Sequence, residues 1–116
     1  MEVFQAFLSG IPLLRIVGDV DHFTAPALEA AAREALVLDN GHLLFDLSAV
    51  PYLDSAGAGL FLALDRDMDP RGWVGVIGAN SNLLRIFEIV GLLGRPCFRV
   101  FARLEDASAV LEGMAS

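Results

Sequence analysis

Residues 50–60, VPYLDSAGAGL, hold the groups of this chain best suited to chemistry. Ser55 offers a hydroxyl, Asp54 a carboxylate beside it, and Gly57 and Gly59 two positions without a side chain. A serine hydroxyl can attack as a nucleophile, accept a phosphoryl group or cap a helix. Capping alone explains Ser55 or Asp54, but it requires neither glycine. Each glycine inside a helix costs about 0.5–1 kcal/mol relative to alanine, so helix stability does not favour the pair. Glycine lets another backbone come close, and free N–H groups at a helix start can receive an anion. Asp19, Asp21 and His22, within GDVDHFTAPAL, form the second group of candidates.

Several chemistries fail on residue types. A nucleophile elbow needs glycine two positions before the serine, and Leu53 stands there. His22 is the one histidine placed to serve Ser55, which gives a catalytic triad little support. GAGLFL lacks the third glycine of a dinucleotide fingerprint. His22 and His42 are too isolated to build a metal site, so neither metal nor cofactor is expected. All eight cationic residues are arginine. Without lysine there is no P-loop, no Schiff-base chemistry, and no lysine beside a receiver aspartate. An enzyme is therefore not expected.

The net charge of −7 argues against nucleic acid or anionic membrane as partner. Cys97 is the sole cysteine, which fits a reducing cytoplasm. No apolar run approaches the roughly 18–20 residues that span a bilayer. VFQAFLSGIPLL follows Glu2 and no basic residue, unlike a secretory leader. At 116 residues, the expectation is one domain, residues 1–116, in a cytoplasmic protein.

The elements that must position these groups follow from pattern. Residues 2–8 and 12–17 are strand-like, joined by SGIP as a hairpin turn. A helix follows, with Thr24 as N-cap, Pro26 in its first turn and Asn40-Gly41 as its stop. Leu28, Ala31, Ala35 and Leu38 mark its buried face, and Glu29 and Arg33 form an i,i+4 pair on the wet side. The spacing then predicts strand 42–47, helix 55–68, strand 73–77, helix 81–90 closed by Gly91, strand 98–101 and helix 104–111. Ser55 is N-cap or first residue of its helix, and Trp73 and Phe61 read as core. The order β-β-α-β-α-β-α-β-α implies an α/β fold with a mixed sheet and an antiparallel hairpin at one edge. Loops 18–24, 48–54 and 78–80 then lie at the carboxyl edge of the parallel strands, where open sheets place their sites. That topology brings Asp19, Asp21, His22, Asp54 and Ser55 together.

DLSAVPYLDSAGAGL resembles the signature of the STAS domain of bacterial anti-sigma factor antagonists, an Asp-Ser-Ser/Thr-Gly core after a strand. GDVDHFTAPAL is similar to the Gly-x-Leu-Asp segment of that family, and NLLRIFEIVGLL to its third helix and following turn. The resemblance covers nearly the whole chain. It implies a STAS-type β-α superhelix: a sheet of about four to five strands, an N-terminal hairpin and about four helices. It further implies that Ser55 is phosphorylated by an anti-sigma factor that is also a serine kinase. The unmodified chain would bind that partner and release a sigma factor; the phosphorylated chain would let go. Asp21 matches the acidic residue of the first conserved loop. Asp19, Asp21, His22, Asp54, Ala56, Gly57 and Gly59 are the expected partner-binding residues, in a chain that is a monomer or weak dimer. Ala56 stands where the family has serine or threonine, and Ala58 where it has a larger apolar residue. The alternative within the family is a scaffold subunit of a lipid-transport or stressosome-like assembly, without phospho-control.

Overall fold

The computed structural model describes residues 1–38, 41–67 and 72–115. Its elements are β1 (Glu2–Leu8), β2 (Ile11–Val17), α1 (Ala25–Leu38), β3 (His42–Ala49), α2 (Ser55–Arg66), β4 (Trp73–Ile77), α3 (Ser81–Ile89), β5 (Phe98–Phe101) and α4 (Leu104–Ala115). The five strands form one sheet in chain order, β1-β2-β3-β4-β5. β1 and β2 are antiparallel, and β2 through β5 are neighbours in parallel sense; the alternating pattern predicts that sense, and the structure adds the order.

The hairpin turn is Ser9-Gly10, with φ of 52° and 83°. Two consecutive positive φ angles are the mark of a type I′ turn, whose twist matches that of the strands it joins. The turn thus uses only the SG of SGIP, and β2 begins at Ile11, a residue earlier than predicted. Strand β3 runs to Ala49, and α4 to Ala115, each longer than its apolar pattern. Helix α2 ends at Arg66; Met68, expected at its end, lies outside the described residues, as does Asn40 of the expected α1 stop.

The sheet is covered on both faces. Leu14, Ile16, Leu43, Phe45, Val74 and Val76 pack against Leu28 of α1, Phe61 and Leu64 of α2, and Leu83 and Phe87 of α3. The rings of Phe45, Phe61, Phe87 and Phe98 form an edge-to-face chain with centroids 4.9, 5.3 and 5.3 Å apart. On the opposite face, Ile11, Leu44, Trp73, Ile77 and Phe101 pack against Ala107 and Leu111 of α4. This two-sided cover explains the continuous apolar runs of β3 and β4, where a half-exposed strand would alternate. Trp73 and Phe61 are both core. Burying both strands this way fixes where their carboxyl ends emerge, and so where the loops meet.

One charge is buried with them. The Asp65 side chain, on the inner face of α2, is 1% exposed and pairs with Arg95. Among the described residues, its Oδ1 has no hydrogen-bond partner. Among the described residues, no helix is long and apolar enough to cross a membrane.

Candidate functional site

The β2–α1 and β3–α2 loops are fastened together by main-chain bonds. Val20 and Leu53 form a parallel bridge beyond the ends of β2 and β3. The Val20 N–H donates to the Tyr52 carbonyl at 3.0 Å, and the Asp54 N–H to the Val20 carbonyl at 3.1 Å. Both Val20 and Leu53 are fully buried, so the apolar side chains anchor what the backbone joins. The third loop closes on the second: the Asn80 side-chain amide donates to the carbonyls of Val50 and Pro51 at 3.4 and 3.3 Å. The Asn80 carbonyl oxygen caps α3 by accepting from the Leu83 N–H at 3.0 Å. Sequence reading placed the loop but missed the residue. Its signal was available in an asparagine directly before the predicted helix start.

Asp54, not Ser55, caps α2. Its backbone is extended, with φ −96° and ψ −172°, and its Oδ1 accepts from the N–H groups of Ala56 and Gly57 at 2.9 and 3.0 Å. Its Oδ2 accepts from the His22 N–H at 3.2 Å, and the His22 Nδ1 stands 3.9 Å away. One carboxylate therefore satisfies two orphan donors of α2 and holds the neighbouring loop.

Asp21 performs the corresponding service for the turn into α1. Its Oδ1 accepts from the N–H groups of Phe23 and Thr24, both at 3.0 Å, while its own N–H donates to Thr24 Oγ1 at 2.9 Å. This reciprocal pair is a capping box with aspartate leading and threonine three residues on. Thr24, the expected N-cap, turns its hydroxyl back to Asp21 instead of forward into the helix. The bond from the Thr24 N–H leads the causes that hold the Asp21 carboxyl below its ordinary pKa, with partial loss of solvent opposing it. Asp19 is exposed, and its carbonyl accepts from Thr24 Oγ1 at 3.2 Å.

The two glycines separate in role. Gly57 is buried, and a Cβ there would stand 2.8 Å from Leu53 Cγ, 3.0 Å from the Val20 oxygen and 3.1 Å from Val20 Cγ1. The room expected for a partner at Gly57 is thus taken by the chain's own loop. Without that room, the Val20–Leu53 bridge could not sit against α2. Gly59 is exposed, and a Cβ there would meet nothing within 4 Å. It lines a depression of about 350 Å³ between α1 and α2, with His22, Ala25, Pro26, Glu29, Ala56 and Leu60.

Ser55 is the first residue of α2 and exposed. With Asp54 as cap, its hydroxyl has no hydrogen-bond partner among the described residues. Two large apolar side chains, absent from the expected site, stand on the fastened loops: Phe23 is 80% exposed and Tyr52 54%. Exposed aromatics on loops held this firmly were visible in the sequence as loop residues, but not as surface.

Comparison with known proteins gives the family of the chain. The family profile described as STAS domain matches residues 6–107. The chain is 33% identical over 105 residues to the anti-sigma-F factor antagonist RsfB of Mycobacterium tuberculosis, covering 90% of this chain and 84% of that one. It is 33% identical over 78 residues to an anti-sigma-B factor antagonist of Listeria monocytogenes, covering 66% and 68%. An anti-sigma factor antagonist from Mycobacterium paratuberculosis superposes with a TM-score of 0.82 at 26% identity, covering 96% of this chain and 93% of that one. With its hairpin-led sheet, its fastened loops and these relatives, the chain belongs to the STAS domain family, among the anti-sigma factor antagonists.

Proposed function

We propose that this chain binds an anti-sigma factor with serine kinase activity, frees a sigma factor by doing so, and is switched off when that kinase phosphorylates Ser55. The observation that carries the reading is the division of labour at the start of α2. Asp54 takes the capping role, which leaves the Ser55 hydroxyl exposed and uncommitted. A hydroxyl bound to backbone would have to break free before accepting a phosphoryl group; this one does not.

The surrounding surface suits a protein partner. Asp19, Asp21 and His22 lie on one loop and Asp54, Ser55, Ala56 and Gly59 on or beside the next, with Phe23 and Tyr52 as exposed apolar anchors. Large aromatics are enriched among the residues that dominate binding energy. Gly59 leaves α2 open to close approach, whereas Gly57 serves by seating the loop. Phosphorylation would add roughly −1.5 to −2 charges. The helix terminus favours an anion, but Asp54 repels it, and a partner would have to desolvate it on docking. The protein itself performs no turnover in this scheme.

The test is incubation with the partner kinase and ATP, followed by phosphopeptide mapping and calorimetric binding of each form. Label confined to Ser55, with loss of binding, supports the switch. Unaltered binding after phosphorylation, or no label with a proven partner, leaves the scaffold role as the better description.

A further inference from the structure

We propose that β1 is a dimerisation edge, through which two copies of this chain pair antiparallel and join their sheets across a two-fold axis. The free edge of β1 has seven residues, EVFQAFL, with Glu2 as its only charge and no proline. Edge strands are normally blunted by lysine, proline, bulges or shortness. β5, the opposite edge, follows this rule, with four residues that include Arg99. Apart from Glu2 at its first position, β1 carries none of these devices.

The hydrogen-bond phase of the hairpin decides the register. Leu8 and Ile11 close the two-residue turn, so they form a hydrogen-bonded pair, and so do the alternate pairs Ala6–Leu13, Phe4–Arg15 and Glu2–Val17. The N–H and C=O groups of Val3, Gln5 and Phe7 therefore point outward. Centring a second β1 on Gln5 pairs every one of them: Gln5 with Gln5 of the second copy, and Val3 with Phe7 in both directions. Opposed residues of an antiparallel pair share a face, so Phe7 of one copy lies beside Val3 of the other.

The side chains fit this register. Phe7 is 59% exposed on its own copy. Beside Val3 and Gln5, on the same face of the sheet, is a cavity of about 420 Å³ lined also by Leu14, Ala31, Glu34 and Ala35. The register sets each Phe7 at the mouth of the other copy's cavity. On the opposite face it sets Phe4, 49% exposed, against Ala6 of the second copy. Outward main-chain groups call for a strand as occupant, and the knob and hole within one strand call for a second copy. β1 contains no residue of the Ser55 site, so this proposal is independent of the kinase reading.

Sedimentation of the full chain over a concentration series should show a reversible doubling of mass. Phe7→Lys removes the knob, and Gln5→Pro removes an outward N–H without touching the β2 ladder. Each should raise the dissociation constant at least about tenfold while circular dichroism stays unchanged. In a Cys97→Ser background, Gln5→Cys should form an intermolecular disulfide under mild oxidation, because the paired Cα atoms are about 5.5 Å apart. Ser9→Cys should not, since the register separates the two copies of position 9 by about 27 Å at about 3.4 Å per residue. A monomer throughout the series, a dimer indifferent to both variants, or crosslinking as fast through position 9 as through position 5 would overturn the proposal.

Discussion

The Asp54 carboxylate accepts the backbone N–H of His22 at 3.2 Å across thirty-two positions of sequence, while capping α2 with its other oxygen. This single side chain ties the start of the helix that carries Ser55 to the loop that carries Asp19 and Asp21. The main-chain bonds at Val20 and the seat at Gly57 reinforce the same junction. The surface proposed to meet a partner is consequently held in place by the chain itself, which would lower the ordering cost of binding.

Asp54→Ala should lower stability by about 1–3 kcal/mol. The cap contributes about 0.5–2 kcal/mol, and the His22 N–H loses its partner as well. Denaturant melts give the loss. Faster hydrogen exchange at His22, Ala56 and Gly57 than in wild type would locate it, and an unchanged rate at His22 would show that the loops do not depend on Asp54.

Substitution at the two glycines should have opposite effects. Gly57→Ala forces its Cβ against the Val20 carbonyl and Leu53, an overpacking that costs typically about 1–3 kcal/mol. Gly59→Ala enters open space and should stabilise α2 by up to about 1 kcal/mol. If α2 meets the partner closely, Gly59→Ala also weakens binding despite its gain in stability. Paired thermal melts and titrations separate these effects.

Because Asp54 is the cap, Ser55→Ala should change stability by less than about 0.5 kcal/mol and leave partner binding near wild type. Ser55→Asp gains about 0.3–1 kcal/mol from the helix terminus, offset in part by Asp54, yet should bind less well. The phosphoprotein carries more charge and bulk and should bind least. Calorimetry with one partner preparation checks the order. A phosphoprotein that binds as tightly as wild type contradicts the switch.

Arg95→Ala should be costly, because it leaves the buried Asp65 carboxylate unpaired. Breaking a buried pair costs about 3–5 kcal/mol, and partial exposure of Arg95 places this case toward the lower end. Asp65→Leu in the Arg95→Ala background removes the unpaired charge and should restore much of the loss. A double variant no more stable than the single one would point to packing rather than charge.

The Asp21 carboxyl is held below its ordinary value of 3.8, so its ionised form favours the folded state. Its contribution is complete above that value and disappears as pH falls below it, through the lower folded-state pKa. Asp21→Asn should therefore reduce the loss of stability between neutral pH and this acid range. Urea melts at several pH values, wild type against variant, test the difference in slope.

Element order, the parallel sense of the strands, the antiparallel hairpin and the meeting of three loops were legible in the sequence, because they depend on local periodicity and on the right-handed crossover of parallel strands; which strands lie side by side was not. Asp-Ser at a helix start was legible too, as a cap next to a hydroxyl. Which of the two residues capped was not: both types are able to, and the choice rests on where the chain turns extended, at Asp54. The capping box of Asp21 and Thr24 was open to the same confusion. Gly57 and Gly59 are identical as letters and two positions apart, so they face different ways on a helix. Only the fold puts the Val20 carbonyl under one and open space over the other. Local sequence determined which groups were present and near which end of the sheet. Long-range packing, which no local pattern encodes, decided which of them are used inside the chain and which remain on its surface.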